Sequence, residues 1–277
     1  MKKKRITIID SKNIKQQYWS DLWSYRELFY FLSWKDVLVR YKQTVIGLAW
    51  SVIRPLLIMI VFVLIFSKIA KLPSEGDVPY AIMVFAALLP WQFFSNALAD
   101  SGNSLVDNAE MVGKVFFPRV IIPASSIIVS LLDFFISFAI LLFLMLWYQF
   151  VPNITIVLLP FFLLLAVINA LGLGLWLAAL NVTYRDFRYI IPFIVQFGLY
   201  LSPVGFSSSI VPEQWRLLYS LNPMVGVIDG FRWAILGGEN TTVYMPGFTL
   251  SIIISLVILY TGIKYFRKKE KTFADVI

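Results

Sequence analysis

The 277-residue chain contains no cysteine and no histidine. Disulfides, thiol nucleophiles, imidazole acid–base chemistry and the commonest zinc ligands are thereby excluded. Charge is also scarce: Asp, Glu, Lys and Arg make up 14% of residues, against about 25% in soluble proteins. No glycine-rich nucleotide loop occurs, because Gly113-Lys114 runs into Val115 and position 108 is Asn, not Gly. No cluster with metal-ligand spacing appears. The chain is expected to carry no catalytic residue, no metal and no cofactor of its own.

What it has instead is apolar length. Hydrophobic residues reach 59% and gather in runs close to the roughly 20 residues that a helix needs to cross the ~30 Å hydrocarbon layer. Six crossings are expected, at 53–69, 78–98, 121–148, 154–180, 189–203 and 248–263. The fifth is short, about 22 Å by the helical rise. Arg54 sits near the end of the first, where its stem can reach the headgroups. The N-terminal Met1-Lys-Lys-Lys-Arg5 lacks the apolar core of a signal peptide, so it is expected to stay as a basic tail.

With both termini in the cytoplasm, all of the 24 Lys and Arg except Lys68, Lys71, Arg216 and Arg232 fall on the inner side. The positive-inside rule favours that orientation. The net charge of +8 is then a matter of membrane topology, and no nucleic-acid partner is called for.

Three segments are not simple crossings. In 18–47, Trp34, Val37, Leu38, Tyr41 and Val45 form an apolar stripe, with Lys35, Asp36, Arg40, Lys42 and Gln43 opposite. Ser33 with Asp36 resembles a capping box. Such a helix suits the headgroup plane, or packing on another subunit, and both can hold. The loop 100–118 is amphipathic and too long for an idle connector, so a short cytoplasmic helix is expected, docking a soluble partner or lying on lipid. In 204–238, a helix at 212–221 and a second after Asn222-Pro223, ending at Gly237-Gly238, are too short and polar to cross. A re-entrant pair fits them; backbone of that kind survives at membrane depth when buried in protein or lining a water-filled cavity.

Asp133 is the one ionised group placed mid-span. It is either paired to a neighbouring helix, turned to water, or part of a proton relay. Phe62 and Phe66 share a face of the first span; Phe193, Phe197 and Tyr200 share a face of the fifth. Aromatic stripes of this kind either line a sugar path or pack against lipid and protein. Ser207, Ser208 and Ser209 add hydroxyls just past the fifth span.

The motifs along the chain resemble those of the ABC-2 type permeases that export polysaccharides. Arg40-Tyr41-Lys42-Gln43-Thr44-Val45-Ile46-Gly47-Leu48-Ala49-Trp50, with Arg54-Pro55-Leu56, is similar to that family's entry segment. Lys114-Val115-Phe116-Phe117-Pro118-Arg119, with Pro123, resembles its first inner loop, and Asn181-Val182-Thr183-Tyr184-Arg185-Asp186 its second. Asn222-Pro223-Met224 with Phe231-Arg232 and Gly237 resembles the outer re-entrant region, and 266–275 the C-terminus. The resemblance spans 25–277.

That resemblance implies an all-α integral membrane protein. From the residue pattern, 1–47 are expected to form the basic tail and interfacial helix, with Trp34, Arg40, Tyr41 and Lys42 at the surface. A six-span domain would occupy 48–263, and a basic cytoplasmic tail 264–277. It further implies a homodimer in the cytoplasmic membrane, joined to two copies of an ATPase subunit that binds ATP and Mg. The cargo would be a lipid-linked polysaccharide such as O-antigen, with capsule or teichoic acid as neighbours. Contacts to the ATPase carry over to Asn108, Glu110, Lys114, Phe117 and Arg119 of the inner loop that holds the coupling helix (100–118), and to Arg185 and Asp186. The aromatic faces would line the channel. Glu213, Trp215, Arg216, Asp229 and Arg232 of 204–238 would form the outer gate. A small-lipid or drug exporter, or an ATP-independent channel, stays as an alternative.

Overall fold

The computed structural model describes residues 18, 21–42, 47–184, 186–238 and 241–273. Expectations for the tail 1–17, the motif positions 43–46, Arg185 and 274–277 lie outside them. Every regular element among the described residues is helical. In chain order these are α1 (Arg26–Lys42), then α2 (Gly47–Phe62), continued by a π-helical stretch (Val63–Ile69). Next come α3 (Tyr80–Asp107), α4 (Ala109–Lys114) and α5 (Ile121–Trp147). A 3-10 turn (Ile154–Leu158) leads into α6 (Leu159–Thr183), followed by α7 (Phe187–Leu201), α8 (Glu213–Tyr219), α9 (Pro223–Leu236) and α10 (Met245–Lys269).

Five helical stretches are long and apolar enough to cross a bilayer: Ala49–Ile69, Tyr80–Asp107, Ile121–Trp147, Ile154–Thr183 and Met245–Thr272. The shorter apolar helix α7 makes the sixth. These are the six expected runs, but two are longer than hydropathy alone indicates. The second continues through Asp100 to Asp107, and the last through Arg267 and Lys268. Polar side chains do not end a helix; a change in backbone does. That change comes at Asn108, with φ −111° and ψ 28°. The helical part of 100–118 is thus divided between the end of α3 and the short α4.

The bundle is organised around α3, which packs against α5, α6 and α9. Its residues Ile82 to Leu89 are buried on every side. A helix apolar all round belongs in the centre, and Ala81, Ala86, Ala87 and Ala97 let its neighbours approach closely. A second apolar cluster gathers at the end rich in basic residues. There Leu32 of α1, Leu105 of α3, Val112 of α4, Ile121 of α5, Val182 of α6 and Phe266 and Phe273 of the tail meet. The amphipathic segments and the tail therefore form one body with the spans.

Helices α6 and α10 cross at Gly172 and Gly262. A Cβ on Gly262 would collide with the carbonyl oxygen of Gly172, and one on Gly172 would lie 2.8 Å from the Leu259 nitrogen. Small residues permit this approach, which brings the packing that holds apolar helices together in lipid. Gly262→Val should cost about 1–3 kcal/mol through overpacking and lower the melting temperature of the detergent-solubilised protein by several degrees. Gly113→Ala is the reference, since nothing lies within 4 Å of its added Cβ. A melting temperature equal to the reference would refute the crossing.

Candidate functional site

At the basic end, α4 projects a small knob. Glu110 and Lys114 are exposed and pair with each other at 3.3 Å across one turn. After Lys114 the backbone becomes extended at Val115 (φ −124°, ψ 135°), so successive side chains point to opposite sides. Phe116 consequently stands 87% exposed while Phe117 is 4% exposed in the basic-end core. Sequence alone singles out Phe117; the side chain offered at the surface is Phe116. Two adjacent Phe before Pro118 show that one must turn outward, but not which.

The other contact residues divide in the same way. Asn108 accepts from Lys35 Nζ at 3.1 Å and donates to the Ser104 carbonyl, so it binds α1 and α3 together. The Arg119 amide donates to Glu270 Oε1 at 2.7 Å, and its guanidinium donates to the Glu270 carbonyl. Arg119 thus clasps the C-terminal tail. Asp186 is exposed, near Arg188, whose guanidinium lies 3.9 Å from Asp107.

Helix α1 turns one of its charges, Arg40, into the bundle and leaves Arg26, Glu27 and Lys42 exposed. Ser33 is not an N-cap: the helix begins at Arg26, and the Ser33 hydroxyl donates back to the Phe29 carbonyl at 2.8 Å. Trp34 and Leu38 face outward together with Tyr30 and Phe31, as does Lys42. Arg40 turns into the bundle instead, with Nη1 3.0 Å from Asp100 Oδ2 of α3 and Nη2 3.2 Å from Asp133 Oδ2 of α5. The Tyr41 hydroxyl donates to Asp133 Oδ1 at 2.5 Å, and the Ser130 hydroxyl to Asp100 at 3.3 Å. The mid-span carboxylate therefore has its partners on a neighbouring helix. Burial and the bond to Asp133 push the Tyr41 phenol up, so it remains a donor. Burial works against the charge of Arg40, but Asp100 and Asp133 outweigh it.

The aromatic faces differ from each other. Phe62 is buried in the core and Phe66 packs at 5.4 Å from it and 6.5 Å from Phe206. Phe193, Phe197 and Tyr200 lie on an exposed face of α7, with the two Phe centroids 4.1 Å apart.

At the far end, Asn222 caps α9 by accepting from the Met224 amide at 3.1 Å, and Gly237 (φ +89°) ends it. Arg232 of α9 is 1% exposed. It donates to the carbonyls of Phe206 (2.7 Å), Val204 (3.0 Å) and Met83 (3.4 Å) and lies 3.5 Å from Glu75. Arg216 of α8 donates to Val211 and Ser209 carbonyls, both at 2.9 Å. Glu213 is exposed, as is Trp215. The two arginines hold the loop 202–211 in place, and Glu75 is the partner that periodicity gave no means of finding.

Arg40→Ala should leave two carboxylates facing each other without a cation. We expect a loss of about 1–3 kcal/mol, less than for a fully buried pair because Arg40 is partly exposed. The added change Asp100→Asn should restore part of the melting temperature. Equal melting of wild type and Arg40→Ala would show that the cluster binds nothing together.

The comparisons with known proteins bear on what these parts belong to. The pattern of the ABC-2 type transporter family matches residues 27–236. The chain is 28% identical over 260 residues to the O-antigen export system permease protein RfbA of Myxococcus xanthus, covering 93% of this chain and 98% of that protein. It is 26% identical over 253 residues to RfbA of Klebsiella pneumoniae, covering 91% and 95%. The polysialic acid transport protein KpsM of Escherichia coli is 23% identical over 246 residues, covering 86% and 91%. With more than half of its length matched by the family and six apolar helices in place, this chain is a multi-pass membrane protein of the ABC-2 type transporter family.

Proposed function

We propose that this chain is the membrane-spanning subunit of an ABC transporter that exports a lipid-linked polysaccharide, O-antigen before capsule or teichoic acid. The observation that carries the reading is the near full-length likeness to permeases named for O-antigen export. Two copies of the chain would join two ATPase subunits, on which ATP and Mg2+ bind. The basic end, with Lys35, Lys114, Arg119, Arg267 and Lys268, faces the cytoplasm under the positive-inside rule. The 202–238 region then lies on the outer side.

In this reading the ATPase seats on the knob of Glu110, Lys114 and Phe116. The knob continues into α3, whose 28 residues carry a push roughly 42 Å toward the far end. Arg40 ties α1 to α3 and α5, so the three elements move together. The exposed aromatic face of α7 and the exposed apolar face of α2 and its π-helical continuation (Trp50, Leu57, Val61, Leu64) are the surfaces a second copy would meet. Aromatic faces there give sugar rings apolar contact without demanding one hydrogen-bond pattern, so a repeating polymer can slide.

Phe116→Asp should leave the protein in the membrane but remove the ATPase from affinity-purified complexes and reduce polymer at the cell surface at least tenfold. Glu110→Ala with Lys114→Ala should weaken both less. An intact complex and normal surface polymer in Phe116→Asp would overturn the docking assignment.

A further inference from the structure

The serine run that follows the fifth span does more than connect it to α8. It forms the floor of a polar cavity at the outer end, with two lobes of ≈ 110 Å³ and ≈ 180 Å³. Ser208, Ser209, Asp229 and Thr242 line both lobes, so the two lie side by side. Glu75 and Arg232 close one side; Tyr219 closes the other. The Ser208 hydroxyl is bonded to Asp229, and Arg216 fixes the Ser209 backbone. The shape is therefore held by bonds among the lining residues themselves.

Two buried oxygens at this place have no partner among the described residues: Glu75 Oε2, on a side chain 12% exposed, and the Tyr219 hydroxyl. Leaving a buried polar atom unpaired costs about 1–3 kcal/mol. Such cost is offset when a ligand brings the missing hydroxyls. The lining offers acceptors at two carboxylates, mixed donor–acceptors at six Ser and Thr hydroxyls, and the rings of Tyr219 and Tyr244. That mixture suits a polyol. It does not suit a cation, because the Arg232 guanidinium already faces Glu75 at 3.5 Å and no group of three acidic residues stands together among the described residues. It does not suit an acyl chain, which would lie against the Asp229 carboxylate and the serine hydroxyls shared by both lobes. The combined space lies near the ~300 Å³ lower bound of small-molecule sites, room for one ring and not for an oligosaccharide.

We propose that this cavity is a saccharide subsite that holds one sugar unit of the exported polymer as it leaves the bundle. The proposal rests on the exporter reading given above. Held there briefly, each unit would resist sliding back while the ATPases reset, so the site acts as a pawl on the outer side.

Photo-crosslinking in the polymer-producing host, with the full chain and its ATPase, tests it. A p-benzoylphenylalanine is placed at Ser209, at Phe197 on the α7 face, or at Leu142, an exposed position on α5. Export by each variant is measured, and attached polymer is expressed relative to it. Polymer attached at Ser209 at least fivefold above Leu142, and reduced to the Leu142 level by Asp229→Asn or by Glu75→Gln, is the expected result. Polymer at Phe197 with Ser209 no higher than Leu142 would overturn the subsite and leave the exporter reading standing. Attachment at Ser209 that ignores both substitutions would overturn it too, showing passage without binding. Polymer at neither position in exporting cells would sink both the subsite and the proposed path.

Discussion

A charge at membrane depth must be answered by another group, because lipid offers it nothing. Arg40 and Arg232 answer that constraint beside the spans, and Arg119 makes the same kind of pairing in the loop at the basic end. Arg40 bridges Asp100 and Asp133, Arg119 holds Glu270, and Arg232 holds three carbonyls and Glu75. Each one fastens a segment that does not itself cross the bilayer to helices that do. The apolar helices alone would slide past one another, since lipid tails are as apolar as leucine. These polar fastenings give them register.

The consequence is a division of labour between the two ends. At the basic end, α1, α4 and the tail close over one apolar cluster, leaving Glu110, Lys114 and Phe116 at the surface. At the far end, α9 is buried to the last turn while α8 carries exposed Trp215, Leu217 and Leu218. A single central helix, α3, reaches from one end to the other. In the proposed reading, a force on the knob would have a short, stiff route to the far end, and the exposed faces of α2 and α7 are where a second copy would sit.

Much of this was legible in the residues. The six apolar runs, the N-cap at Asn222, the glycine stop at Gly237 and the amphipathic nature of 26–42 all follow from local pattern. What escaped depends on tertiary pairing. Arg40 falls on the polar side of its helix and so points to headgroups by periodicity, yet two carboxylates far along the chain draw it inward. Asp133 looks solitary only until α1 is laid against α5. Phe116 and Phe117 are neighbours of one type, and the turn that exposes the first is set by extended backbone after Lys114. Glu75 sits in a plain loop, with no signal that Arg232, buried on another helix, needs it.

The central claim is that the chain is one half of a passage and carries no engine of its own. Proteoliposomes containing the purified chain, with or without its ATPase subunit, test this most directly when given lipid-linked polymer and ATP. The account requires transfer of polymer across the membrane, with ATP hydrolysis, in the vesicles holding both subunits and in no others. Hydrolysis or transfer by the chain alone would contradict it.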